Sequence, residues 1–414
     1  MTPQFNELLL EILHTDPSRP TLCSLKRLSP QDWQSFVDET IHFRLAYQIQ
    51  RFLHAEAERF ELLPETAARR LSECVRGTVM HNLRQQRQLH RLLAACQSAG
   101  LPVLLVKGLW LTHIVYRDIK ARPSGDIDLL VHPDDMPAIL DILRKLGFRP
   151  PVDATTLGNL IAHEHELTIN HPDDNACFDI HWSFTRPGEE IPIDESKFWQ
   201  RAERFSLGDQ PCLSLGVEDH LLYLCFHTAL HHHFLYVGPR ALLDVANLIA
   251  HPPRAIDWNL VQSRAYELGW QRGVWLTLAL VNDYLGVRAP TAVLEELKPL
   301  EGETLPVKAA ALDAIFFGQQ IHDTLTPNIV RLLDEPSWRN RAAILWRKIC
   351  PPKEVIASLF QAEANAKSIY RLYLKHWRRL CKDHVFKLIR LSTGERNHAA
   401  EWERAKIIKQ WLES

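Results

Sequence analysis

The sequence predicts a mixed α/β protein, mostly helical overall, on three observations. Apolar residues recur at helical spacing before residue 100 and again after residue 216. Between them the chain breaks into short apolar runs of strand length. Turn-forming clusters separate those runs. The expected organisation is an N-terminal helical region over 1–100 and an α/β core over 101–215. A helical region packing on the core follows over 216–300, then a C-terminal helical region with a basic helix over 301–414. At 414 residues the chain exceeds the usual single-domain size, so several packed units are expected.

Each element has its own signal. Ser29-Pro30-Gln31-Asp32 is a helix start, with an N-cap, a proline in the first turn and early negative charge. Pro64-Glu65 opens a second helix, whose apolar positions Leu71, Val75, Val79, Leu83 and Leu89 lead toward the terminator Gly100. Residues 101–106 form an apolar run broken by Lys107-Gly108, and residues 109–116 read as a short helix. A polar loop over 117–125 leads into 126–131, where acidic and apolar residues alternate as in a strand with one wet face. Residues 133–146 make an amphipathic helix closed by Gly147. Residues 163–170 and 177–184 read as strands joined by the turn-forming His171-Pro172-Asp173-Asp174-Asn175. From Val217 onward helices return, with Glu218 and Asp219 suited to a positive helix end. No fixed-period repeat is present.

Composition narrows the function classes. With 46% hydrophobic residues, 24% charged residues and a net charge of −2, the chain has no global bias toward a polyanionic partner. No stretch nears the roughly 18 uninterrupted apolar residues of a spanning helix, so no transmembrane segment is expected. The opening MTPQFNELLLEILHTD lacks a basic segment followed by an apolar one, so no secretory signal is expected. The cysteines at 23, 74, 96, 177, 212, 225, 350 and 381 are scattered without a CxxC pair, and reduced thiols in a cytoplasmic protein are expected.

The chemistry concentrates at Asp126-Ile127-Asp128-Leu129-Leu130-Val131. Side chains at i and i+2 of a strand share a face, so Asp126 and Asp128 project together. Adjacent carboxylates repel unless a cation lies between them, and Mg²⁺ (or Mn²⁺) suits oxygen ligands shared with substrate phosphates. The bland reading is a solvated strand edge. Three features argue against it. Lys107-Gly108 ends a strand and opens a helix, where backbone can approach a phosphate. The loop before the acids carries Arg117, Lys120 and Arg122 as charge partners for a triphosphate, and ends at Gly125. Asp179, in Phe178-Asp179-Ile180-His181-Trp182, offers a third carboxylate from a later strand. Three such acids suit a two-metal site.

This order of motifs resembles the nucleotidyltransferase superfamily, in which a strand, a glycine turn, a helix and an hDhDh strand follow one another. It is more closely similar to the bacterial "uncharacterised nucleotidyltransferase" family, whose first motif reads Lys-Gly. The matching residues are Val106-Lys107-Gly108, Tyr116, Arg122, Gly125 through Val131, Asp179-Ile180-His181-Trp182, the pair His227 and His231, and Leu242-Leu243-Asp244-Val245-Ala246. The resemblance covers roughly residues 75–250. It implies a nucleotidyltransferase-type small mixed sheet with flanking helices, magnesium as cofactor and an NTP as donor. The acceptor stays open between a protein side chain, an RNA end, and a sugar or metabolite. Asp126, Asp128 and Asp179 are expected to be catalytic and metal-binding. Lys107, Gly108, Arg122 and Gly125 are expected at the phosphates. His181, His227, His231 and Asp244 are expected on the substrate side. The Gly-Ser pair of the wider superfamily is missing, and the gap from Gly108 to Asp126 is longer than in minimal members.

Competing readings remain. A glycosyltransferase of the DxD type needs a nucleotide-binding α/β half ahead of the acids, where this chain reads as helical. A non-catalytic nucleotide-binding scaffold with a degenerate fold is the other alternative. His227, His231, His232 and His233 invite zinc, but no HExxH glutamate stands among them, and a packed or substrate-facing helix is expected. His163 and His165 are expected on an exposed strand face, and Trp33, Trp199, Trp258, Trp270 and Trp275 in the core. Residues 367–390, from Lys367 to Arg390, hold eight Lys/Arg against Asp383, with Tyr370, Tyr373, Trp377 and Phe386 between them. Such a helix suits an anionic surface, nucleic acid or membrane. The plainer alternative is a solvated face over a buried aromatic stripe.

Overall fold

The computed structural model describes residues 3–15, 21–152, 154–185, 187, 193–299, 304–317, scattered positions between 338 and 360, 369–380 and 396–413. Its centre is a mixed six-stranded sheet: β1 (Leu104–Val106), β2 (Ile127–Leu130), β3 (Glu166–Asn170), β4 (Cys177–His181), β5 (Glu203–Leu207) and β6 (Gln210–Ser214). The strand order is β3-β4-β2-β1-β6-β5. β1 runs antiparallel to β2 and parallel to β6, β2 runs parallel to β4, and the β3-β4 and β5-β6 pairs are antiparallel. Helices flank this sheet, and one continuous apolar core extends from Phe5 to Leu412.

Local chemistry explains most boundaries. The helix Pro30–His42 begins on a reciprocal cap, in which Asp32 donates its N–H to the Ser29 hydroxyl and its carboxylate accepts from the Ser29 N–H. The helix Glu65–Ser98 follows Pro64 and stops before Gly100, which takes a positive φ of 69°. Glu218 and Asp219, in the first turn of Val217–Phe226, are both buried. Arg254 pairs with Glu218, and Arg201 and Arg264 pair with Asp219.

Several expectations need correction. The inward face of Glu65–Ser98 is not the stripe Leu71, Val75, Val79, Leu83 and Leu89, because Leu83 is 47% exposed. Positions 71, 75, 82, 85, 89, 92 and 96 face inward, so Asn82 and Gln85 are buried amid leucines. Strand β2 has no wet face: it lies between β1 and β4, and all four of its residues are buried. His163 ends a helix, Ala154–His163, with its ring bonded to the Asn159 carbonyl one turn earlier, and the strand starts at Glu166. His165 is buried rather than exposed. The hairpin β5-β6 turns at Gly208-Asp209, with Gly208 at φ 63°.

The basic segment is described over Ile369–Leu380 alone, and Lys367, Lys382, Phe386, Lys387 and Arg390 lie outside the described residues. There Ile369, Leu372 and His376 face inward, while Tyr370 is 78% exposed and Trp377 is also exposed. Among the described aromatic residues of this segment, Tyr370 and Trp377 are therefore outside any buried stripe, and Tyr373 packs half-buried against Ile356, Ile369 and Leu372. No helix among the described residues is long and apolar enough to cross a membrane.

Asn82 connects this scaffold to the loop before β2. It donates to the carbonyls of Ile119 and Arg122 and accepts from the Ser124 N–H at 2.9 Å. Replacing it strands buried backbone groups, whose desolvation costs about 1–3 kcal/mol each. Asn82→Ala is expected to lower the free energy of unfolding in urea by roughly 3 kcal/mol. The exposed neighbour Leu83→Ala is expected to shift it by less than about 0.5 kcal/mol.

Candidate active site

Strand register assembles the acids. Asp128 lies opposite Val106 of β1 on one side and Asp179 of β4 on the other. Paired residues of adjacent strands share a face, so the two carboxylates emerge side by side. Asp126 precedes β2 by one residue, two positions before Asp128. Oxygens of Asp126, Asp128 and Asp179 lie within 4.8 Å of one another. Asp128 is 1% exposed, and the other two are half-buried.

Charge compensation is one-sided. The Lys107 ammonium sits 2.8 Å from Asp128 Oδ1, and His181 Nε2 lies 3.3 Å from the same oxygen. Burial alone would raise the Asp128 carboxyl, but Lys107 and His181 outweigh it and hold it down at about 2. Asp128 Oδ2 and Asp179 Oδ1 are buried with no hydrogen-bond partner among the described residues. Asp179 is pushed up to about 7, first by burial and then by the charge of Asp126. Two orphaned carboxylate oxygens beside a third acid fit a divalent cation with oxygen ligands, such as Mg²⁺.

The Lys107-Gly108 turn lies against these acids. A Cβ on Gly108, where φ is 28°, would sit 3.1 Å from Ser124 Oγ, 3.2 Å from the Asp126 carbonyl and 3.7 Å from Asp128 Oδ2. Lys107 itself has φ 38° and ψ −129°, a costly conformation for a side chain with a Cβ. Its N–H donates to His220 Nε2 at 3.1 Å, and its ammonium also meets His227 Nε2 at 3.2 Å. Burial, then the Lys107 charge, keeps the His227 pKa well below its ordinary value, so His227 is the acceptor in that contact. The amide and ammonium of Lys107 are thus both engaged within the protein in this structure.

Arg122 is engaged too. Its buried guanidinium forms a two-pronged pair with Asp244, at 2.9 and 3.0 Å, and donates to the Gly108 carbonyl. Tyr116 donates to Asp244 at 2.8 Å. In this geometry Arg122 and Asp244 brace the glycine turn. Gly125 is exposed and lines a cavity of about 310 Å³ with Arg44, Tyr47, His81, Lys120 and Ser124. Arg117 is exposed and bonds to the Ile114 carbonyl. The rings of His227 and His231 stack at 5.7 Å, and His231 is exposed.

Sequence reasoning misses Asn82, Gln85, Ser124 and His220. Gln85 donates to the Gly125 carbonyl and accepts from the Cys177 N–H, joining the loop to β4. Ser124 donates to the Asp126 carbonyl. The available signal is spacing: Asn82 and Gln85 continue the 4,3 alternation set by Leu71 and Val75 and resumed by Leu89, Leu92 and Cys96.

Removing one partner of a buried pair leaves an uncompensated charge, so Asp244→Ala is expected to cost about 3–5 kcal/mol in urea unfolding. A second expectation concerns Asp179. Its folded-state carboxyl is raised from 3.8 to about 7, so the folded protein keeps a proton that the unfolded chain has released. In chelator-treated buffer, stability is therefore expected to fall as pH rises through that window. Thermal unfolding should show this slope in the native chain and lose it in Asp179→Asn, and Mg²⁺ should oppose the loss above pH 7.

The family model described as uncharacterised nucleotidyltransferase matches residues 29–286, more than half of the chain. No curated protein and no solved structure matches it. With its acids, glycine turn and bracing pair all inside the matched span, the chain belongs to the uncharacterised nucleotidyltransferase family.

Proposed function

We propose that this chain transfers an NMP unit from an NTP to a hydroxyl-bearing acceptor and releases pyrophosphate. The observation that carries the reading is the convergence of Asp126, Asp128 and Asp179 within 4.8 Å, with two buried carboxylate oxygens unpartnered among the described residues. These three residues would hold Mg²⁺ (or Mn²⁺). A bound ion supplies charge neutralisation for the triphosphate and lowers the pKa of the attacking hydroxyl.

The chain's own groups supply the rest. The acceptor oxygen forms a bond to the α-phosphorus as the bond to the bridging β-phosphate oxygen breaks, and pyrophosphate leaves. Asp179 serves as third ligand or takes the acceptor proton, since it is the acid whose proton affinity is raised. Lys107 and His181 hold Asp128 ionised and oriented. Lys107, Gly108, Arg122 and Gly125 are the groups we propose at the donor phosphates, with Arg44 and Lys120 at the cavity beside Gly125 as further cations. The acceptor is a protein side chain, an RNA end, or a sugar or metabolite, and the location we propose is cytoplasmic.

A second reading is a nucleotide-binding scaffold without turnover, favoured by one observation: the Lys107 ammonium pairs directly with Asp128 at 2.8 Å. Incubation with each α-labelled NTP, Mg²⁺ and cell-lysate fractions separates the two. Transfer of label is expected with the native chain, with a loss of at least about 100-fold in Asp126→Asn and in Asp128→Asn. Unchanged labelling in these variants would exclude the three-acid mechanism. NTP-dependent thermal stabilisation without any transfer would support the scaffold.

A further inference from the structure

A second group of donor atoms lies next to the acids. His165, Glu166 and His181 each bring one to within 4.8 Å of the others. Glu166 is the cross-strand partner of His181, two residue pairs along the sheet from Thr168–Asp179 and so on the same face. His181 Nδ1 is 3.3 Å from Glu166 Oε2, and His165 Nε2 is 3.7 Å from the same oxygen. The two histidines are buried, and Glu166 is half-exposed.

Donor and acceptor roles make this arrangement informative. Asp128 is a carboxylate and accepts hydrogen bonds only, so His181 Nε2 must carry the hydrogen it presents to Asp128 Oδ1. The other ring nitrogen, Nδ1, is buried, lies 3.3 Å from a carboxylate oxygen of Glu166, and makes no hydrogen bond among the described residues. A metal ion between these atoms would take both as ligands, with His165 as a third. Donor atoms about 3.3 Å apart match the edge of a tetrahedron with zinc–ligand bonds of about 2.0–2.1 Å. Imidazoles favour zinc over magnesium, and a carboxylate holding the far nitrogen of a ligating histidine is the usual outer support of such a site.

We propose that His165, Glu166 and His181 form a Zn²⁺ site distinct from the three-aspartate group, with a fourth position open to water or substrate. Asp128 then has two duties, as a member of the aspartate group and as the outer partner of His181. The site stands independently of nucleotide transfer, because metal content is read without turnover.

The test uses the full chain, stripped with chelator, dialysed against Zn²⁺ in excess Mg²⁺, desalted and assayed by plasma mass spectrometry. About one zinc per chain is expected in the native protein and in Asp126→Asn, against a loss of roughly tenfold or more in His165→Ala and Glu166→Gln. Because Glu166 is half-exposed, Glu166→Gln is expected to keep the circular dichroism of the native chain. Cobalt loading should give the intense visible bands of a tetrahedral site in the native chain and not in Glu166→Gln. The proposal is overturned if the native chain retains no zinc. It is equally overturned if Glu166→Gln retains zinc like the native chain, or if Asp126→Asn loses it.

Discussion

Asp126, Asp128 and Asp179 gather three carboxylates on strands whose side chains are largely withdrawn from water, and their repulsion must be met by positive charge. Lys107 meets part of it, but on one oxygen of one acid. The imbalance shows in opposite displacements of neighbouring groups: Asp128 is held low and Asp179 is driven high. A structural ion-pair network would pair its charges off. Here the excess negative charge is concentrated at oxygens with no partner among the described residues, which is the electrostatic form of a cation site.

Holding such a site requires a rigid surround, and polar contacts inside the apolar core provide it. Asn82 and Gln85 reach from one long helix to the loop before β2 and to the start of β4. Arg122 and Asp244 join that loop to the helix Pro239–Ala250, and Arg122 also grips the Gly108 carbonyl. A buried pair of this kind adds little net stability over an apolar substitute, but it fixes which groups meet. The bracing contacts thus set geometry at the acids from two opposite directions along the chain.

Much of this is legible in the sequence. The alternation of Asp126 through Val131 reveals a strand and the shared side of its acids, and Lys107-Gly108 reveals the turn. Asp179 is identifiable because an acid flanked by Phe178 and Ile180 stands out in an apolar run. The roles of Arg122 and Lys107 are not legible, because a cation near acids reads alike whether it meets a phosphate or a buried aspartate. Arg122 finds its carboxylate at Asp244, 122 residues away, and Lys107 finds its own at Asp128. His165 reads as an exposed strand residue as long as the helix ending at His163 goes unrecognised, and with it the bend that turns the next side chain inward. The β5-β6 hairpin is signalled by Gly208-Asp209, but its strands are short and half polar.

His220 ties these features together. Its ring is stacked on Trp110 at 3.7 Å, hydrogen-bonded to the Leu215 carbonyl through Nδ1, and acceptor to the Lys107 N–H through Nε2. Burial lowers its pKa to about 3, so the ring stays neutral in any ordinary cellular medium. A histidine in that state works as a permanent latch rather than a sensor. The backbone twist at Lys107 is therefore insulated from acidity.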